Sequence, residues 1–306
     1  MQITQTIIPI FLVIFAGWLA RKKQFMPEGF LGPANRLVYY LAIPAMIFRA
    51  ISRASFQEEF NSQVLLITLL CVLAVFLAIW LLAALAGMDR HFRGTFIQST
   101  FHGNLGYIGL AVVYYYLGDA GLAKGGIFAG FIMILQNILA VITLQVHTDR
   151  SSRKGPVFAE NMRRIIGHPV ILSALGGILV SVAGIPLPVI VDRSLVILSG
   201  MALPLALLLI GASLSFDLIR ARLGTVLAVC LFKLAVMPGL GILVFNLFSI
   251  PPADYLPAFI LLAAPTATLT YVMAREMKGD ADFAVAAISG CTLLSAASYT
   301  IWLNIV

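Results

Sequence analysis

Apolar residues run along this chain in long blocks, separated by short polar intervals rich in Lys and Arg. Stretches nearly free of charge and long enough to span fall at roughly 5–20, 35–51, 63–86, 95–117, 125–146, 168–184, 191–214, 223–248, 255–274 and 283–305. A bilayer core of about 30 Å needs about 20 apolar residues in a helix, so the pattern predicts ten membrane spans, the second being the shortest.

The fourth block departs from the pattern. From Gly94 to Gly118 it holds no Asp, Glu, Lys or Arg, yet its centre reads Phe101-His102-Gly103-Asn104-Leu105-Gly106-Tyr107-Ile108-Gly109. Each glycine weakens a helix by about 1 kcal/mol relative to Ala, and a buried Asn needs a partner that lipid does not supply. Irregular backbone is tolerated at membrane depth only where protein buries it or where it lines a cavity. The stretch therefore predicts half of a substrate site, with His102, Asn104, Gly106 and Tyr107 as contacts and Gly103 and Gly109 as hinges. The competing reading is close packing, because the three glycines fall three apart and would form one smooth face against a neighbouring helix.

Composition places the whole chain in the membrane: 61% of the 306 residues are hydrophobic and 11% charged, with a mean hydropathy of +1.01. Arg21-Lys22-Lys23 follows the first apolar run, the reverse of a signal peptide, so the first helix is expected to be retained. With the N-terminus outside, alternate loops carry Lys and Arg in a ratio of 15 to 4. That asymmetry predicts both termini outside, and the net charge of +7 needs no nucleic-acid partner. The basic stretch 147–164 reads as a cytoplasmic linker between five spans and five. Cys71, Cys230 and Cys291 fall inside spans with no metal or disulfide spacing and read as small buried hydrophobes.

The two halves match each other. At an offset of 160, Pro9 meets Pro169, Gly17 meets Gly177, Ala42-x-Pro44 meets Ala202-x-Pro204 and Ser55-Phe56 meets Ser215-Phe216; at 161, Gly118-Asp119-Ala120 meets Gly279-Asp280-Ala281. Units with an odd number of spans lie upside down to one another, so the expected folds are 1–146 and 165–306 as inverted five-helix repeats. Asn104 then falls opposite Pro265, which breaks or kinks the ninth span just before Thr266, Thr268 and Thr270. Two broken helices crossing near the midplane would aim half-helix N-termini at an anion.

These residues resemble the auxin efflux carrier family of membrane transporters, which includes plant auxin exporters and bacterial relatives. The resemblance rests on Asn104-Leu105-Gly106-Tyr107-Ile108-Gly109, on Ala202-Leu203-Pro204-Leu205-Ala206-Leu207 running to Gly211-Ala212-Ser213-Leu214, and on Ala264-Pro265-Thr266 with Gly279-Asp280. His168-Pro169 is similar to the family's more usual Asn-Pro. Where the family usually has a proline seven residues after its Asn, this chain has Ala111, so glycines alone would open the fourth span. The resemblance implies a fold like that of bile-acid symporters and sodium/proton antiporters. Spans 1, 2, 6 and 7 would form a scaffold, often a dimerising one, and spans 3–5 and 8–10 a moving transport domain, with Pro44 and Pro204 as helix-break positions in spans 2 and 7. It further implies a small organic anion as substrate, such as auxin, malonate or malate, and a bacterial inner-membrane location.

Individual residues carry alternatives. Asn104 suits a carboxylate because its amide donates while staying neutral; Gln136 and Asn137 in span 5, and Thr266 and Thr268, are further candidate contacts, each also open to interhelical or self-helix bonding. Tyr107 and Tyr271 flank the breaks. His102 is a candidate proton carrier or a structurally bonded His, and Lys233 a candidate compensator of broken-helix carbonyls. All 13 Asp and Glu lie in loops or at span ends, which disfavours coupling through a midplane carboxylate. Exporting an anion from a negative interior releases about 2.3 kcal/mol per charge per 100 mV and needs no such group. Scattered histidines without a nucleophile–base pair argue against an enzyme, and an internal inverted repeat argues against a channel. No cofactor or metal is expected. A sodium- or proton-coupled symporter of related fold is the alternative.

Overall fold

A computed structural model describes residues 2–55, 60–147 and 167–306. Every element among them is helical, and the one β feature is an isolated bridge. In chain order the helices are α1 Gln2–Lys22, α2 Glu28–Leu37, α3 Ile43–Arg53, α4 Ser62–Leu85, α5 Arg90–Phe101, α6 Leu110–His147, α7 Pro169–Val182, α8 Val189–Gly200, α9 Ala202–Ala212, α10 Phe216–Ala221, α11 Leu223–Cys230, α12 Met237–Leu247, α13 Pro252–Leu262, α14 Leu269–Glu276 and α15 Ala281–Ile305. Of the linker expected at 147–164, residues 148–164 lie outside the described residues.

Among the described residues, six helical stretches are long and apolar enough to cross a membrane: Ile3–Lys22, Ser62–Leu85, Leu105–His147, Val189–Ala212, Leu223–Leu247 and Ala281–Ile305. The difference from ten has a physical source. Expected spans 2, 4, 6 and 9 are built from shorter pieces, and Leu105–His147 carries the fifth span together with the second half of the fourth. Inside it Gly118 stands at φ +70°, which turns the chain where an L side chain would be strained.

Local chemistry sets the boundaries. Asn61 caps α4 by accepting from the amides of Gln63 and Val64 at 3.0 and 3.1 Å. Asp89 does the same for α5 and Asp280 for α15, each satisfying first-turn N–H groups that a helix leaves open. π-helical stretches at Val38–Ala42 and Leu231–Val236 precede Pro44 and Pro238, which sit in the first turns of α3 and α12. Pro238 cannot donate to the carbonyl of Leu234, and that oxygen accepts instead from Ser298 Oγ and Trp302 Nε1, both at 2.8 Å. Pro204 lies in the first turn of α9, just after the interruption at Gly200–Met201.

α1 packs along α9 and α3 along α7. The first pair meets backbone to backbone: a Cβ at Gly17 would collide with the carbonyl of Leu208, and one at Gly211 with that of Ile14. The other packed pairs include α6 with α13, α5 with α15, α4 with α12 and α11 with α15. The three cysteines are free and buried; Cys230 and Cys291, far apart in sequence, bring their sulfurs to 3.2 Å between α11 and α15.

Candidate functional site

α5 ends at Phe101, and His102-Gly103-Asn104 run extended before the chain turns through a π-helical Leu105–Gly109 into α6. α13 ends at Leu262, and residues 263–268 run non-helically into α14. The two extended segments cross antiparallel at Gly103 and Thr266. Asn104 N donates to Pro265 O at 2.7 Å, and Ala267 N donates to His102 O at 2.8 Å. Both breaks are thus present and face each other. The first opens without the family's proline, since Ala111 lies inside α6.

Breaking a helix frees backbone groups that must be paired at membrane depth. Thr266 Oγ1 donates to Ser99 O at 2.8 Å. Gln136 Nε2 donates to Phe101 O at 3.0 Å while its Oε1 accepts from Gly103 N at 3.1 Å. On the other strand, Tyr299 Oη donates to Ile260 O at 3.1 Å and Lys233 Nζ to Leu262 O at 2.7 Å. Lys233 is 1% exposed, and no Asp or Glu belongs to the buried polar set among the described residues. Its Nζ therefore sits against a carbonyl, with no buried carboxylate beside it among the described residues.

The expected contact residues divide on this geometry. Asn104 uses Oδ1 to accept from Tyr107 N at 3.3 Å, whereas its buried Nδ2 has no partner. Asn137 is buried next to Gln136; Gln136 itself bonds backbone through both amide atoms, which makes it a brace of the break. Thr266 is likewise spent on Ser99 O. Thr268 is half-buried at the start of α14, without a capping bond. Thr270 Oγ1 is buried without a partner. Tyr271 lies half-buried in the first turn of α14, and its Oη accepts from exposed Arg275 at 3.3 Å.

The glycines do not form one face. A Cβ on Gly103 would meet Leu105 and Lys233, on Gly106 Met133, and on Gly109 Leu261 at 2.9 Å. The smooth-face reading fails because residues 102–104 are not helical, so a spacing of three no longer lines side positions up.

His102 is buried, with Nδ1 3.3 Å from Gln98 Nε2, and that amide also reaches Met273 Sδ at 3.4 Å. Gln98 Oε1 has no partner. Gln98 and Tyr299 escaped the sequence reading because each looks like an ordinary helix residue until its partner is known. Asn35 is another: on α2, it accepts from Tyr107 Oη at 3.3 Å.

Residues 2–303 match the family described as Membrane transport protein. The chain belongs to that family, the auxin efflux carriers to which its motifs pointed. Among curated relatives, it is 26% identical over 309 residues to a protein of Rhizobium meliloti (strain 1021) named "Putative malonate transporter", covering 98% of this chain and 94% of that one. It is 23% identical over 302 residues to an uncharacterized transporter of Methanothermobacter thermautotrophicus, covering 98% and 97%. A transporter of Methanocaldococcus jannaschii, also uncharacterized, is 23% identical over 305 residues. Family and relatives point to a membrane transporter and not to an enzyme.

Proposed function

We propose that the chain is a secondary carrier for a small organic anion, auxin-like or a dicarboxylate such as malonate or malate, which it exports by elevator-type alternating access. The observation that carries this reading is that the two facing breaks hold a buried Lys233 with no buried carboxylate among the described residues and an Asn104 whose Nδ2 is unpartnered. An unpartnered amide donor at one break and a basic side chain without a carboxylate at the other favour an anionic guest, whose charge would hold that lysine protonated. The relative's name agrees with a dicarboxylate.

The same reading assigns ten spans as inverted repeats, 1–146 and 165–306. It is supported by reciprocal packing: α1 on α9 mirrors α3 on α7, and α6 on α13 mirrors α5 on α15. Spans 1, 2, 6 and 7 are the scaffold, and 3–5 with 8–10 the moving body. α8 in span 7 buries none of its residues within the chain, which leaves its face to lipid or to a second scaffold in a homodimer. The location is the bacterial inner membrane with both termini outside, as the basic-loop asymmetry favours.

Flux of labelled malonate into proteoliposomes tests the reading. Saturable flux that vanishes in Asn104→Ala is expected; single-channel current steps, or full flux in that variant, would overturn it. One observation favours the coupled symporter: Gln98 Oε1 and Thr270 Oγ1 are unpartnered oxygens that a cation accepts. Flux that requires sodium or an imposed pH gradient would select that alternative.

A further inference from the structure

A second wall faces the crossing. His168, the residue at which α7 begins, is 6% exposed, and its Nδ1 has no hydrogen-bonding partner. Its ring meets Tyr39 edge-on, with centroids 5.0 Å apart at 72°. Tyr39 lies in the π-helical stretch Val38–Ala42, which follows α2 and packs on α7. The Tyr107–Asn35 bond at 3.3 Å and the Tyr39–His168 contact join the start of α7, through Asn35 and Tyr39, to the first break.

The first turn of α7 strengthens this wall. Its 14 residues extend about 21 Å, short of a core of about 30 Å. The buried end is the N-terminal one, where His168, Val170 and Ile171 are enclosed while Ala183 and Gly184 at the far end are exposed. Pro169 has no N–H, and Leu172 N bonds to His168 O. The amides of Val170 and Ile171 are therefore the first-turn donors that the helix itself leaves open, at the positive end of its dipole. His168 Nδ1, buried at this same end of α7, has no hydrogen-bonding partner.

We propose that His168 is a ligand-contacting residue, and that with the first turn of α7 it receives the second carboxylate of a short dicarboxylate whose first carboxylate is held by Asn104. This rests on the carrier reading. Imidazole Nδ1–H donates to the carboxylate, and no buried carboxylate among the described residues competes for it. A monocarboxylate would engage the crossing alone, so His168 sets the preference for two negative groups.

Binding of malonate and of monomethyl malonate, which keeps the skeleton and loses one charge, is measured on the purified full chain. The wild type is expected to prefer malonate by about tenfold or more, the worth of one charge-assisted hydrogen bond. His168→Ala should remove that preference by weakening malonate alone. His168→Phe, which retains a ring against Tyr39, should do the same and guards against misfolding of the smaller variant. Asn104→Ala should weaken both probes. A wild-type preference that survives in both His168 variants overturns the proposal, as does a wild type that binds the monoester equally well; the carrier reading survives either result. Failure of the wild type to bind either probe overturns both.

Discussion

At the first break the freed backbone is held by the neutral amide of Gln136, which serves one carbonyl and one N–H together. At the second it is held by the ammonium of Lys233 and the hydroxyl of Tyr299, each serving one carbonyl. The two breaks reach a similar shape, but only the second brings in a charge. Half-helix α13 points its C-terminal end, the negative end of its dipole, at the crossing, and the lysine answers that end. The cost is a basic side chain at membrane depth, which under the proposed carrier reading an anionic guest would relieve.

The largest loss of stability is expected from Gln136→Leu. It strands two buried backbone groups at about 1–3 kcal/mol each, and thermal unfolding in detergent should report it. Retained stability would mean that water can replace the brace. Lys233→Met strands one carbonyl, at about 1–3 kcal/mol, and should also abolish stabilisation by malonate. Lys233→Gln separates the two roles, since its amide still donates. A melting temperature near that of the wild type with no response to malonate would assign the binding to charge; a retained response would erase the contrast between the breaks. Tyr299→Phe is the mildest, at about 1 kcal/mol with binding unchanged, because the hydroxyl touches only Ile260 O.

Both breaks were legible in the sequence because they violate their surroundings. Glycine with Asn in a charge-free run, and Pro265 ahead of threonines, have no place in a plain membrane helix. Lys233 stood out for the same reason. What stayed hidden depends on partners distant in the chain: Gln136 reads equally as ligand contact or brace until residues 101 and 103 are placed beside it, and His168 reads only as a variant of an Asn-Pro motif. The count of spans was harder still, since short pieces such as α7 and α13 are apolar enough to count but too short to cross alone. Ala111 shows the limit of a motif, as the first break forms without the proline that usually marks it.

The bridge between Gly103 and Thr266 also has a consequence in time. At ~5–20 residues per second of synthesis, the roughly 160 residues between them take on the order of 10–30 s to appear. Throughout that interval the amide of Asn104 and the carbonyl of His102 exist without the strand that will pair them. The first half must therefore hold these two polar groups unpaired until residues 265–267 are made and close the seam.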